Sequence, residues 1–224
     1  MRKKGKGLLI SAGVLTLLSS GLTFAAGHVD VRPIGPLGTR VGFAALNGFV
    51  FRFIGARVAW YHITDWLGIL AVLTAFGFAV LGLVQLIRRG SLLRVDRRIL
   101  ILGGFYLLLL GVYLFFERHI INFRPVLMGG RLEASFPSSH TMIVFFIAVT
   151  AMDQFHALME KGPARTAADL AACALMAVTV VGRLISGVHW FTDILAGLVM
   201  ASALSCAYFA AVRAAGAPPY RKGP

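Results

Sequence analysis

Hydrophobic residues fall into long runs separated by short polar stretches rich in arginine, proline and glycine. Residues 8–26, 64–87, 99–116, 138–155, 167–188 and 191–212 form six such runs. Each is close to the ~20 apolar residues a helix needs to cross a bilayer. Residues 41–61, VGFAALNGFVFRFIGARVAWY, behave differently, because Asn47, Arg52 and Arg57 interrupt the run. That pattern predicts an interfacial helix rather than a span. Between it and the first run, HVDVRPIGPLGTR carries the prolines and glycines of a loop. Trp60, Tyr61 and Trp66 fit an aromatic belt at head-group level. His62 and Asp65 share that belt, either touching a lipid head group or, the commoner case, as surface residues capping the next helix, and Thr64 or Asp65 is the expected N-cap of the second span.

The expectation is an all-α polytopic membrane protein: six transmembrane helices with an interfacial helix between the first two. A single integral membrane domain covers residues 1–224. The first transmembrane helix lies within 1–27, an extracytoplasmic loop with the interfacial helix fills 28–63, and spans two to six occupy 64–213. Ala25-Ala26-Gly27 has the form of a signal-peptidase site. The preceding run is longer than a usual signal core, which favours a retained first helix.

Composition agrees with the pattern. The chain is 58% hydrophobic and 14% charged, with a mean hydropathy of +0.81, which excludes an ordinary soluble domain. A net charge of +13 would raise the question of nucleic acid in a soluble protein. Here the basic residues sit at the ends of apolar runs and no nucleic-acid motif appears, so the expected partners are membrane lipids and not nucleic acid. The termini and the stretches after spans two and four hold 14 of the 22 Lys and Arg residues, RRGSLLRVDRR being the densest. The positive-inside rule then puts both termini in the cytoplasm of a plasma-membrane protein. Cys173 and Cys206 fall within apolar runs and read as buried small hydrophobes, not as a disulfide or zinc site.

The same topology gathers polar residues at the extracytoplasmic edge. Gly182 to Asp193 reads GRLISGVHWFTD, and helix through residues 189–193 would put His189 and Asp193 at i and i+4 on one face. Two readings fit: an interfacial His–Asp pair with a structural role, or a base with its orienter beside the fixed cation Arg183. Phe136-Pro137-Ser138-Ser139-His140 opens span four. Pro137 stops any earlier helix, Ser138 or Ser139 caps the new one, and its free N–H groups and dipole suit an anion. An ordinary Pro-Ser helix start explains the same residues. Arg124 and Arg183 are fork-shaped phosphate donors or snorkelling anchors. Together, two arginines, two histidines, an aspartate and a Ser-rich helix start on one face form a set suited to phosphoryl transfer.

These segments resemble the signature of the type 2 phosphatidic acid phosphatase superfamily, the membrane lipid phosphate phosphatases. The signature runs K-x6-R-P, then P-S-G-H, then S-R-x5-H-x3-D. The chain matches it at Arg124-Pro125, at Pro137-Ser138-Ser139-His140, and at Arg183, His189 and Asp193. Glu117 replaces the family lysine, with Arg118 beside it as a substitute; Ser139 replaces a glycine and Gly182 a serine.

The resemblance implies metal-independent hydrolysis of a phosphate monoester or pyrophosphate on a membrane lipid at the outer leaflet. The substrate would be of the phosphatidic acid, phosphatidylglycerol phosphate or undecaprenyl pyrophosphate class. His189 would form a phosphohistidine, Asp193 would orient it, and His140 would act as acid and then base. Arg124, Arg183, Ser138, Ser139 and Arg118 would bind phosphate. No cofactor is expected, and the site lacks the carboxylate cluster that Mg²⁺ would want. A lipid phosphotransferase, or a non-catalytic protein that binds or transports lipid phosphate, would use the same residues.

Overall fold

The computed structural model describes residues 2–216. The expected tail arginine and lysine, Arg221 and Lys222, lie outside the described residues. Among the described residues seven α-helices follow one another: α1 (Arg2–His28), α2 (Ala44–Ile54), α3 (Val58–Arg89), α4 (Arg97–Arg118), α5 (Ser139–Leu158), α6 (Pro163–Ser186) and α7 (Phe191–Ala214). Six of them are long and apolar enough to cross a membrane, and α2 is the short apolar exception. The chain is an all-α multi-pass membrane protein.

Helices α5 and α7 form the centre. Half of the most apolar stretch of each is buried, against 11–17% in the other four spans. Helix α1 lies along α7, and its buried residues Ala12, Ser19 and Ala26 recur every seven positions. Such a seam of small residues lets two helix backbones approach closely inside a bilayer. Phe146 on α5 and Tyr208 on α7 pack edge to face, with Phe105 of α4 against both. At the end of the bundle away from the two histidines, Arg98 pairs with Asp153 at 2.8 Å, and the Tyr208 hydroxyl donates to the same carboxylate at 2.7 Å.

The interfacial element is shorter than expected, and the second span is longer. Helix α2 ends at Ile54, where Gly55 takes φ +75°, and α3 starts at Val58, six residues before residue 64. No helix breaker separates Val58 from Asp65, so the helix continues through the aromatic belt. Thr64 and Asp65 are therefore not caps. The N-cap is Arg57, without a side-chain hydrogen bond, and the Thr64 hydroxyl donates back to the Trp60 carbonyl at 2.8 Å. Thr64 is buried, and the first turns of α3 stand beside the end of α6.

Helix α2 is fastened to the first turn of α7. Asn47 is fully buried; its side-chain amide donates to the Thr192 hydroxyl (2.9 Å) and to the Gly42 carbonyl (2.8 Å), and its oxygen accepts the Thr192 N–H (3.1 Å). Residues 119–138 connect α4 to α5 through antiparallel bridges pairing Phe123 with Ala134 and Met128 with Arg131. The end of α4 and the starts of α3, α5 and α7 all gather at one edge, together with the end of α6.

Candidate active site

His189 sits in the short link between α6 and α7. Gly187 ends α6 at φ +69°, and a Cβ there would come 2.7 Å from Ala56, so only glycine makes this turn. His189 is 4% exposed, and its Nδ1 lies 3.0 Å from the Ser135 carbonyl. A carbonyl only accepts, so Nδ1 carries the proton and Nε2 keeps its lone pair. That Nε2 is buried with no hydrogen-bond partner. Burial, then the charges of Arg124 and Arg183 and the nearby His140, hold the imidazole well below its ordinary 6.5. At neutral pH it is an uncharged imidazole with a free lone pair on Nε2.

Asp193 does not hold the imidazole as the sequence pattern suggested. Helix α7 starts at Phe191 with Trp190 as N-cap, so His189 lies outside the helix and the i, i+4 geometry does not apply. The Asp193 Oδ2 is 4.0 Å from His189 Nδ1 and accepts the Trp190 N–H at 2.9 Å. Its Oδ1 accepts from the Asn122 amide at 3.3 Å. The carboxylate caps α7 and acts on the imidazole through its charge, across a gap too long for a hydrogen bond.

His140, in the first turn of α5, meets a residue that sequence reading put on the surface. Its Nε2 lies 3.1 Å from Asp65 Oδ1, and the same oxygen accepts from Arg183 Nη2. Arg183 is fully buried, and its guanidinium carbon stands 5.2 Å from the centre of the Tyr61 ring. Asp65 and Tyr61 come from α3, which carries none of the signature residues. The available signal was an acidic residue at the edge of an apolar run, a placement that favours a functional partner over a surface position.

Arg124 reaches the edge from the connecting segment, with Nε 3.4 Å from the Ala134 carbonyl and 3.3 Å from Glu133 Oε2. The two serines divide. Ser138 is buried and caps α5, its Oγ accepting from the Thr141 hydroxyl at 3.0 Å. Ser139 instead lines a small cleft with Glu117, Ser135, Phe136, Met142 and His189. Arg118 is exposed at the end of α4 and does not line this cleft. Glu117 is exposed as well, but successive helical residues point about 100° apart, and Glu117 alone of the two borders the cleft. The negative side chain, not its basic neighbour, takes the family lysine's position.

The unsatisfied polar atoms decide what the site can do. Among the described residues, eight buried side-chain nitrogen or oxygen atoms lack a partner, and six belong here. They are Arg124 Nη1, Ser135 Oγ, His140 Nδ1, Arg183 Nε and Nη1, and His189 Nε2. Each unpaired buried polar group costs roughly 1–3 kcal/mol, so such a cluster calls for a ligand. Guanidinium donors and imidazoles suit an oxyanion. Among the described residues, no three His, Cys, Asp or Glu side chains converge as a metal site would need.

Residues 116–217 match the family model described as the PAP2 superfamily. A solved structure, the first transmembrane PAP2-type phosphatidylglycerolphosphate phosphatase from Bacillus subtilis, shares the fold with a TM-score of 0.60. It is 17% identical, and the alignment covers 94% of this chain and 99% of that one. No curated protein sequence matches the chain.

Proposed function

We propose that the chain, whose residues 116–217 match the PAP2 superfamily model, is a member of that superfamily that removes phosphate from a membrane lipid. The observation that carries this reading is the cluster of unpartnered buried polar atoms at one end of the bundle, donors on Arg124, Arg183 and His140 and the lone pair of His189 Nε2. They would surround a phosphoryl group whose lipid chains remain in the bilayer.

The His189 Nε2 lone pair attacks phosphorus, and the bond to the lipid oxygen breaks. His140, protonated at Nδ1, gives that proton to the departing oxygen. The phosphohistidine carries positive charge on its ring, which the Ser135 carbonyl and the Asp193 carboxylate stabilise. His140, now neutral, takes a proton from water as the water oxygen attacks phosphorus. Phosphate leaves, and both imidazoles return to their starting states. Arg124, Arg183 and Ser139 hold the equatorial oxygens throughout. Ser138 contributes through the helix start that it caps.

The structurally similar Bacillus subtilis protein is a phosphatidylglycerolphosphate phosphatase, which makes phosphatidylglycerol phosphate a substrate to test here, beside phosphatidic acid and undecaprenyl pyrophosphate. Glu117 in the cleft favours one phosphate group over two, since a second would bring more negative charge beside a carboxylate. The positive-inside distribution supports cytoplasmic termini and a site facing outward. Glu117 also favours a second reading, a protein that binds lipid phosphate without turnover. Phosphate release by detergent-purified protein across a panel of lipid phosphates separates the two, with His189→Ala as control. Release from one class and none from the variant is expected. Saturable binding with no release from any lipid would favour the binder.

A further inference from the structure

We propose that Asp65, on α3 and outside the matched segment, is the positioning residue that sets His140 and Arg183 for phosphoryl transfer. The inference rests on the phosphatase reading and assigns the geometry of its acid–base group. A carboxylate only accepts, so the 3.1 Å contact places a proton on His140 Nε2. The working proton must then move at Nδ1, the nitrogen left buried without a partner. The same Asp65 oxygen occupies Arg183 Nη2, leaving Nε and Nη1 to face the phosphoryl group. One carboxylate oxygen thereby fixes the tautomer of the acid and the rotation of the cation.

The surface of α3 is shaped for this contact. Gly68 stands three residues after Asp65, on the same helical face. A Cβ at Gly68 would come 2.9 Å from His140 Cδ2. Glycine there gives the imidazole the room it needs to reach the carboxylate. The charged or titratable groups around His140 are Asp65 from α3, Arg183 from α6, Arg124 from the connecting segment and His189 before α7. Asp65 is the acidic member of this group. Its carboxylate, together with the negative charge of the bound phosphate, would balance an imidazolium flanked by two guanidiniums.

A plain ion pair tying α3 to α5 and α6 would use the same contacts, so the test must read proton donation itself. We would measure kcat/KM for Asp65→Asn and Asp65→Glu on two substrates. A lipid monophosphate has a poor alkoxide leaving group and needs the acid; p-nitrophenyl phosphate leaves without one. The expected result for Asp65→Asn is a loss of about 100-fold on the lipid and about tenfold or less on the aryl ester. Asp65→Glu, which keeps the carboxylate, should recover part of the lipid activity. Gly68→Ala displaces His140 without touching Asp65 and should skew the two substrates in the same direction, so it serves if Asp65→Asn fails to fold. Equal losses on both substrates, or no loss, would overturn the proposal. His189→Ala runs in parallel. If the wild type releases no more phosphate than His189→Ala the phosphatase reading itself fails, whereas an active wild type and an inactive His189→Ala with equal Asp65→Asn losses remove only the role of Asp65.

Discussion

The His189 imidazole is fixed by a main-chain oxygen, the Ser135 carbonyl 3.0 Å from Nδ1. A side-chain substitution cannot delete that acceptor. The tautomer that exposes Nε2 should therefore survive loss of the Asp193 carboxylate, which stands 4.0 Å away. What Asp193→Asn removes is negative charge beside a developing imidazolium. At an effective dielectric near 20 the attraction is at most ~4 kcal/mol, so kcat should fall about 10²- to 10³-fold. Nitrogen-15 NMR of the variant should still find the proton on Nδ1 of His189. A switch to the other tautomer would assign the orienting role to Asp193.

The depressed basicity of His189 has a definite sign in stability. Its folded-state pKa lies below the unfolded 6.5, so the unfolded chain binds more protons in acid. The favourable contribution is full above about pH 6.5 and is lost as pH falls toward the folded value. Thermal melts from pH 7.5 to 5 should show a declining Tm. The decline should be shallower in His189→Asn, which cannot titrate. Identical slopes would contradict the burial of a neutral imidazole.

Glu117 lines the cleft beside His189 where the family signature has lysine. Glu117→Lys should raise kcat/KM for a lipid monophosphate by about tenfold, mainly through a lower KM, and Glu117→Gln should fall between. The gain should shrink at high salt, because the cleft is open to solvent. An unchanged KM in both variants would show that this position does not meet the phosphate.

Gly182 departs from the signature for a packing reason. A Cβ there would lie 2.6 Å from Thr64 Cγ2 and 3.0 Å from Trp60 Cε3. Gly182→Ser should destabilise the protein by about 1–3 kcal/mol, read as a lower denaturation midpoint. Thr64→Ala removes the obstructing methyl and should recover part of that loss in the double variant. Additive effects would show that the two positions are not in contact.

Hydropathy made the six spans and the short interfacial helix legible, since the bilayer's thickness imposes run length directly on sequence. The three motifs were legible by spacing. Their mutual geometry was not. The His189–Asp193 spacing implied a helical pair, but the helix starts at Phe191, two residues too late, and the partner proved to be a carbonyl 54 positions away. Backbone acceptors carry no mark in sequence. Asp65 was hidden for a related reason: its place at the edge of an apolar run marked it as a candidate partner, but it meets Arg183 across 118 positions and the local pattern of α3 does not name that partner. Arg118 and Glu117 are neighbours in sequence and both exposed, yet helical rotation brings only Glu117 to the edge of the cleft.

If His189 Nε2 takes the phosphoryl group, as proposed, the reaction passes through a phosphohistidine. The most direct measurement is acid-free rapid quenching of purified protein with ³²P-labelled lipid phosphate, followed by peptide mapping. An alkali-stable, acid-labile label on the peptide containing His189, absent from His189→Ala, is the predicted result. Steady turnover with no such label at any quench time, or full activity in His189→Ala, would contradict it.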